Sequence, residues 1–209
     1  MNQPLAERLR PKNIEEFVGQ SHLVGKDTVF RKAMDSGVLP SIVLWGPPGV
    51  GKTTLAQIIA QQLNREIYTL SAINSGVKDV REVIEKAKGR GLFGTDSPVL
   101  FIDEIHRFSK SQQDSLLGAV ETGVVTLIGA TTENPSFEVI PALFSRCQVY
   151  TLEHFSKEDL LYVTKNTFDF YIDDPSNRSS EYLRSRVRFM INNLRKNGLD
   201  EKKFKMTFK

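Results

Sequence analysis

Short apolar-rich runs alternate along the chain with segments whose apolar residues recur every three or four positions. The runs have the composition of buried strands, and they cover residues 41–45, 65–71, 98–103 and 124–132. The segments between them have the period of amphipathic helices, and they cover residues 54–63, 75–91 and 109–123. Strands that alternate with helices in this way predict an α/β fold, in which helices cover a parallel sheet.

Several helix ends are marked by residue types with known positional preferences. Ser109 is followed three positions later by Gln112, which is the capping-box pattern that begins a helix. Gly123 is placed to end that helix. The helix before it is expected to be capped near Ser75 and to stop at the glycines of the stretch 89–91.

A glycine-rich loop, "GPPGVGKT", lies between the first predicted strand and the first predicted helix, at residues 46–53. It matches G-x-x-x-x-G-K-[ST] in the strand–loop–helix context that this motif requires. Glycines let backbone N–H groups surround a phosphate, and the following helix directs its positive end at the same anion. We therefore predict a nucleotide site formed by the loop and the next residue, namely Gly46, Pro47, Pro48, Gly49, Val50, Gly51, Lys52, Thr53 and Thr54. Lys52 would supply charge to the outer phosphates, and the Thr53 hydroxyl would bind Mg²⁺.

Two acids stand side by side at the end of an apolar run, in "FIDEIHRF" at residues 101–108. Ligands of parallel sheets bind beyond the carboxyl ends of the strands, so Asp103 is predicted to hold Mg²⁺ together with the phosphate loop. Glu104 points to the other face and is predicted to polarise an attacking water, which favours hydrolysis over transfer to a small acceptor. The alternative is a pair of solvated acids at an exposed strand end.

The bulk composition narrows the setting of the protein. The chain has 209 residues, of which 40% are hydrophobic, and no apolar run approaches the ~18 residues of a membrane span. Its single cysteine excludes an internal disulfide, and the first residues lack the apolar middle of a secretory signal. Both features predict a cytoplasmic protein without a membrane partner. No histidine has a partner at metal-binding spacing, so three side chains are interpreted as structural: His22, His106 and His154.

Four stretches in this order, "GPPGVGKTT", "FIDEIHRF", "GATTENPSF" and "SRC", resemble the AAA+ ATPases of the clamp-loader branch. Within that branch the sequences "DEIHRFSKSQQD" and "GATTENPSFE" resemble those of the replication-associated recombination protein A family. This resemblance spans residues 3–160. It implies a P-loop NTPase (AAA+) domain at 1–160 that binds ATP and Mg²⁺. It also implies a DNA-stimulated ATPase of replication-fork maintenance, recombination and repair in the bacterial cytoplasm, associated with the nucleoid.

The resemblance also implies roles for individual residues. Thr132 is similar to the polar sensor that contacts the γ-phosphate or the lytic water, with Asn134 as the alternative. Arg146 is similar to the arginine finger, which reaches the nucleotide of a neighbouring subunit. The segment that packs on the adenine corresponds to Val18, Gly19 and Gln20, although Phe17 and Val18 fit a role as core residues equally well.

Partners are implied in the same way. The family acts as ring-like homo-oligomers on forked or single-stranded DNA, with other replication proteins as further partners. Lys78 and Arg81 lie opposite the apolar stripe of their predicted helix, where they face either DNA or solvent.

The end of the chain departs from this family. Residues 1–160 have a net charge of −2 (17 Lys/Arg against 19 Asp/Glu), whereas residues 161–209 have +5 (11 against 6). Only "LEHFSKEDLLYV" resembles the start of the helical lid, so a truncated or replaced lid is predicted, with a basic helical tail at 161–209. No second-sensor arginine is identifiable. The tail at 169–198 resembles a fragment of tRNA(Ile)-lysidine synthetase, but the Ser-Gly-Gly loop of that enzyme is absent.

The tail is predicted to form a helix from 180 to 195 with one apolar stripe, consisting of Leu183, Val187, Ile191 and Leu194. Such a helix would dock on the main domain or contact nucleic acid. Because the lid transmits hydrolysis as motion, a second hypothesis for the whole chain stays open. It is a nucleotide-binding remnant or a partner subunit that does not hydrolyse ATP.

Overall fold

The computed structural model describes residues 4–72, 75–91, 97–167 and 183–196. The strands are β1 (Ile42–Trp45), β2 (Ile67–Ser71), β3 (Val99–Asp103), β4 (Thr126–Thr131) and β5 (Gln148–Thr151). The longer helices are α4 (Lys52–Gln62), α5 (Val77–Gly91), α6 (Lys110–Glu121), α9 (Lys157–Thr167) and α10 (Leu183–Lys196). Shorter helices are α1 (Leu5–Arg8), α2 (Ser21–Val24), α3 (Val29–Asp35), α7 (Pro135–Glu138) and α8 (Pro141–Phe144), with a 3₁₀ turn at Ile105–Arg107.

The strands form one five-stranded parallel sheet in the order β2-β3-β4-β1-β5. Between successive strands, one or two helices return the chain from the carboxyl end of one strand to the amino end of the next. This is the connection that parallel pairing needs. The carboxyl ends of all strands therefore meet at one edge. There Asp103 is in register with Ser71, and Trp45 is in register with both Thr131 and Thr151.

Two apolar cores cover the sheet, one on each face. Successive strand residues point to opposite sides, so Phe101 packs in one core while Leu100 and Ile102 pack in the other. The first core also holds apolar residues of α3 and α4, and the second holds those of α5 and α6. This double burial explains why the central strands are apolar at every position rather than at alternate positions.

The predicted α/β fold with a parallel sheet is confirmed, and all four predicted strands are present within two residues of their expected ends. The capping box is confirmed as well. The Gln112 N–H donates to the Ser109 hydroxyl, and the Ser109 N–H donates back to the Gln112 side chain over 2.8 Å. Gly123 follows α6 with a positive φ of 69°, as expected for a helix stop.

Helix α5 begins at Val77, so the cap expected near Ser75 lies one residue later, at Gly76, whose N–H donates to the Asp79 carboxylate. The helix continues through Gly89, the first glycine of the predicted stop, because a single exposed glycine weakens a helix without ending it, and it runs to the second, Gly91. The edge strand β5 was not predicted, since "QVYT" is too short and too polar to be distinguished from a loop.

The chain divides into two compact units, Met1–Val163 and Thr164–Lys209. The predicted domain boundary at 160 falls inside α9, and the domain assignment and the replaced lid stay predictions. In the second unit α10 covers most of the predicted tail helix, and its Leu183, Val187 and Ile191 are exposed. Residues 168–182 and 197–209 lie outside the described residues, and with them about half of the stretch 169–198 that resembles tRNA(Ile)-lysidine synthetase. Within the described part of the chain, every helix is too short or too polar to cross a membrane.

Candidate active site

The phosphate loop, residues 46–53, requires glycine at defined positions. Gly49 and Gly51 have φ values of +78° and +96°, a region that side-chain-bearing residues rarely adopt. A Cβ on Gly46 would collide with the backbone carbonyl oxygen of Leu152, the residue after β5. The chain can therefore turn tightly between β1 and α4, and Gly51 serves as the N-cap of α4. The unpaired N–H groups of the first turn of α4 then face the loop, as an anion site requires.

Lys52 lies inside this turn with only 7% of its surface exposed. Its ammonium donates hydrogen bonds to the carbonyl oxygens of Gly46, over 2.7 Å, and Pro47, over 2.8 Å. Burial lowers the pKa of Lys52, and the negative charges of Glu104 and Asp103 act in the opposite direction. The structure thus brings the lysine of the loop and both predicted acids into one electrostatic unit.

Asp103 is the last residue of β3 and is half-buried at the carboxyl edge of the sheet. Burial raises the pKa of its carboxyl group first, and the neighbouring charge of Glu104 raises it further, while Lys52 lowers it. Thr53, the other predicted metal ligand, is half-buried in the first turn of α4.

Glu104 follows β3 in a left-handed backbone conformation, with φ of 53° and ψ of 51°. Such a conformation is uncommon for a residue with a side chain and costs on the order of 1 kcal/mol, so strong local contacts must maintain it. One carboxylate oxygen, Oε2, accepts a hydrogen bond from the Thr132 hydroxyl over 3.2 Å. The same oxygen lies 3.1 Å from Nδ1 of His106. The structure therefore joins the predicted base to the predicted sensor, and adds a histidine that sequence reasoning classed as structural.

Asn134 has a different role in the local structure. Its side-chain oxygen accepts from the Ser136 N–H over 3.0 Å, so that it caps the short helix α7. Of the two sensor candidates, only Thr132 contacts Glu104. Asn134 lies two residues further along the same loop.

Arg146 lies on the surface between α6 and α8. Its guanidinium donates to the Ala142 carbonyl and to the Ser145 hydroxyl, and it forms an ion pair with Glu121. About 39% of its side chain remains exposed, so the group is available to a neighbouring molecule. Its contacts in the described residues are to its own surface helices and not to Lys52, Asp103 or Glu104.

A pocket of about 270 Å³ adjoins the phosphate loop. Its wall is mostly apolar, and it is formed by Leu9, Arg10, Pro11, Phe17, Val18, Gly49, Gly51, Thr54, Phe155 and Val163. Phe17 is 7% exposed and its ring packs closely on Gly51, whereas Val18 is half-buried. Phe17 and Val18 were each expected either to pack on the adenine or to lie in the core. In the structure Phe17 is a core residue that also borders the pocket, and Val18 forms part of the pocket wall.

The next two residues of the predicted base-packing segment, Gly19 and Gln20, hold this segment against residues 153–155, which follow β5. Gly19 has a φ of +86°, and a Cβ there would collide with the Phe155 ring. Gln20 is fully buried, and its side-chain amide donates to the Glu153 carbonyl over 2.8 Å and accepts from the Glu153 N–H over 2.9 Å. Gln20 thus pairs with backbone and holds the N-terminal segment against the end of β5.

Lys78 and Arg81 are both exposed on α5, while Val80 and Ile84 of the same helix are buried. The predicted separation of the basic and apolar faces is therefore present.

A parallel sheet with a lysine-bearing glycine loop after one strand and paired acids after a neighbouring one defines a P-loop nucleoside triphosphatase. The model of the ATPase family associated with various cellular activities (AAA) matches residues 42–153. This match covers more than half of the chain, and the protein belongs to that family.

Curated relatives specify the likeness further. Replication-associated recombination protein A of Coxiella burnetii is 53% identical over 163 residues, which is 78% of this chain and 36% of the relative. The protein of the same name from Escherichia coli K12 is 51% identical over 158 residues, or 76% of this chain and 35% of the relative. ATPase WRNIP1 of Dictyostelium discoideum is 52% identical over 166 residues, or 79% of this chain and 19% of the relative.

Among solved structures, the Thermotoga maritima RuvB Holliday junction branch migration motor is similar with a TM-score of 0.61. It is 34% identical, and the match covers 75% of this chain and 53% of that one. The chain spans about a third of the length of the bacterial relatives that it matches.

Proposed function

We propose that this chain binds ATP with Mg²⁺ at the phosphate loop and hydrolyses it with Glu104 as the general base. The observation that supports hydrolysis most directly is the contact between Glu104 and Thr132. In this contact a half-buried carboxylate is held by the hydroxyl of the residue that follows β4, near the acid and the lysine that would bind the metal and phosphates. A half-buried, oriented carboxylate near a phosphate site is suited to activate water.

The residues present fit both predicted cofactors. The glycine turn leaves backbone N–H groups unobstructed for phosphate oxygens, and the adjoining apolar pocket has room for a flat base held by Val18 and its neighbours. Thr53 and Asp103 offer the hydroxyl and carboxylate oxygens that Mg²⁺ prefers. Burial and the charge of Glu104 raise the pKa of Asp103, and a cation bound there would oppose both effects. When bound, Mg²⁺ would neutralise charge on the phosphate oxygens.

Each residue then has a defined part. Lys52 exchanges its loop carbonyl partners for phosphate oxygens, which are stronger, charged acceptors. Glu104 takes a proton from water, and Thr132 orients the carboxylate that does so. Asn134 supports the sensor loop through its cap of α7 and is the alternative sensor. Arg146 would act in trans, on nucleotide bound by an adjacent subunit, since it contacts none of these groups within its own chain.

We propose further that the ATPase acts on forked or single-stranded DNA as part of a homo-oligomer, in replication-fork maintenance, recombination and repair. This proposal is supported by the names of the relatives, which concern replication-associated recombination, and by the exposed basic residues Lys78 and Arg81 on α5. Other replication proteins are further candidate partners, and the proposed location is the bacterial cytoplasm at the nucleoid.

The test is a comparison of ATP binding and ATP turnover for the wild-type chain and Glu104→Gln, with Mg²⁺, in the presence and absence of forked and single-stranded DNA. We expect DNA-stimulated turnover by the wild type and unchanged nucleotide affinity without turnover in Glu104→Gln, because glutamine keeps the shape but cannot accept the proton. Molar mass should be measured in the same solutions with ATP.

The outcome also distinguishes the alternatives. Nucleotide binding without turnover under any condition would support the second hypothesis, in which the chain is a nucleotide-binding remnant or a partner subunit that does not hydrolyse ATP. Phosphate transferred to an added acceptor would indicate a kinase instead. Fast turnover by a monomer would contradict the trans role of Arg146, and absence of nucleotide binding would contradict the proposal as a whole.

A further inference from the structure

A hydroxyl and a histidine nitrogen meet at one oxygen of Glu104. The Oε2 atom accepts from the Thr132 hydroxyl and lies 3.1 Å from Nδ1 of His106. An ionised carboxylate can only accept, so the histidine nitrogen beside it must carry the hydrogen. Within the described residues, the second oxygen of the same carboxylate, Oε1, has no hydrogen-bond partner. One oxygen is thus fixed and the other is open.

The contacts of Thr131 lead to the same protonation state. Its hydroxyl lies 3.0 Å from Nδ1 of His106, accepts from the Glu133 N–H over 3.0 Å, and donates to the Glu133 carbonyl over 3.1 Å. A threonine hydroxyl has one hydrogen, and the Glu133 carbonyl receives it. Nδ1 of His106 therefore carries the hydrogen and donates it to this hydroxyl, while Oε2 of Glu104 lies 3.1 Å from the same nitrogen. Both contacts require the Nδ1–H form of the ring, and they share its single hydrogen.

These contacts tie the end of β3 to the end of β4. Thr131 is the last residue of β4, is fully buried and is anchored to the backbone of its own turn. The His106 side chain is 13% exposed and sits in the 3₁₀ turn directly after Glu104. The ring that lies against the glutamate is thus positioned by the buried Thr131 side chain, which is itself bound to the backbone of Glu133. This arrangement also helps to maintain the left-handed conformation of Glu104.

We propose that His106 is a positioning residue for Glu104: its Nδ1–H holds Oε2 so that Oε1 is presented to the attacking water. This inference rests on the proposed function, because it assigns a role to a residue of the same site. An alternative role for the ring is packing alone, and an apolar side chain of similar size would then replace it without loss of turnover.

The test uses two substitutions of different chemistry in the full chain. The amide nitrogen of asparagine can occupy the place of Nδ1 and donate to the same oxygen, whereas leucine fills the space without a donor. We expect His106→Leu to lower kcat at least 10-fold with little change in KM for ATP, because misorientation of a general base affects the chemical step. His106→Asn should recover most of the loss. The exposed His154→Leu serves as the matched control and should leave kcat unchanged.

A second measurement needs no turnover. Nitrogen-15 NMR at pH 8.5 reports which ring nitrogen carries the hydrogen, and the His106 signal is identified as the one that is missing in His106→Asn. We expect the Nδ1–H tautomer, whereas free neutral histidine prefers the Nε2–H form. If the wild-type chain binds ATP but never hydrolyses it, the proposed function fails, and the tautomer still tests whether Nδ1 carries the hydrogen that its contact with Glu104 requires.

Two results would overturn the inference: an Nε2–H tautomer in the wild type, or wild-type kcat in His106→Leu. An equal loss of kcat in the leucine and asparagine variants would also overturn it, since the donor at Nδ1 would then not be what matters.

Discussion

The ammonium group of Lys52 donates a hydrogen bond over 2.7 Å to the carbonyl oxygen of Gly46, the first residue of its own loop. The lysine thus links the two ends of the phosphate loop through a hydrogen bond. Its positive charge lies inside the turn that would bind a phosphate. Burial lowers the pKa of the ammonium, which shows that the site holds a charge at a cost in solvation. A phosphate anion would relieve that cost.

Removal of this charge should weaken nucleotide binding. We expect Lys52→Ala to weaken ATP affinity by roughly 10- to 100-fold, which corresponds to the 1.5–3 kcal/mol of a hydrogen bond to a charged group. Calorimetric titration with ATP and Mg²⁺ measures this change. The control is Lys26→Ala, which removes the same charge from an exposed position outside the site. Equal affinities for both variants would contradict the assignment of the loop.

The carboxyl group of Asp103 should make the stability of the nucleotide-free chain depend on pH. Burial and the charge of Glu104 raise the pKa of Asp103 in the folded chain. The unfolded chain then ionises at lower pH, near 4, so the stabilising contribution is complete below that pH and is lost as pH rises through the folded value. At pH 7 the ionised group therefore destabilises the fold.

We accordingly expect Asp103→Asn to raise the melting temperature at pH 7, and this gain should shrink as the pH falls toward 4. The matched control is Asp114→Asn on the exposed face of α6, for which no such gain is expected. In the presence of Mg²⁺ and ATP the order should reverse, because asparagine binds the metal less strongly. Thermal unfolding with and without ligand measures both effects.

Two glycines provide a direct comparison of steric requirement. In Gly46→Ala the new Cβ meets the Leu152 carbonyl, which cannot withdraw easily because the Leu152 N–H donates to the Trp45 carbonyl over 2.7 Å. We expect a loss of about 2–3 kcal/mol in the free energy of unfolding, as for other overpacked sites. Gly118→Ala, in the exposed middle of α6 with nothing within 4 Å of the new atom, should instead gain about 0.5–1 kcal/mol. Urea denaturation measures both, and equal effects would disprove the steric argument.

Arg146 should affect turnover without affecting stability. Its ion pair with Glu121 is exposed, and such pairs contribute less than about 1 kcal/mol. We expect Arg146→Ala to unfold like the wild type and to bind ATP normally, but to lose turnover on the order of 1000-fold, as arginine fingers do. Denaturant titration and steady-state ATPase assays measure these quantities.

A mixing experiment tests whether the arginine acts in trans. Lys52→Ala keeps the arginine but binds nucleotide poorly, and Arg146→Ala has the opposite defect. Turnover should return when the two inactive variants are mixed, if one subunit supplies Arg146 to the nucleotide of the next. A mixture that stays inactive although its mass shows assembly would refute the trans role.

The sequence by itself determined the features that depend on a few neighbouring residues. The phosphate loop, the strands β1 to β4 and the capping box of Ser109 and Gln112 were predictable because each is encoded within one short segment. Backbone conformation, apolar period and the reach of a capping side chain all operate over that range. For the same reason Asp103 could be placed at a strand end before its neighbours in space were known.

Only the tertiary structure decided which of these segments meet. It placed β4 between β1 and β3, paired Gln20 with Glu153 across 133 positions, and brought Thr132 to Glu104 across 28. It also brought His106, which the sequence analysis interpreted as structural, to within 3.1 Å of the proposed base. Such pairings depend on strand order and packing, and no local pattern reports them, because the free energy that selects them is distributed over the whole core.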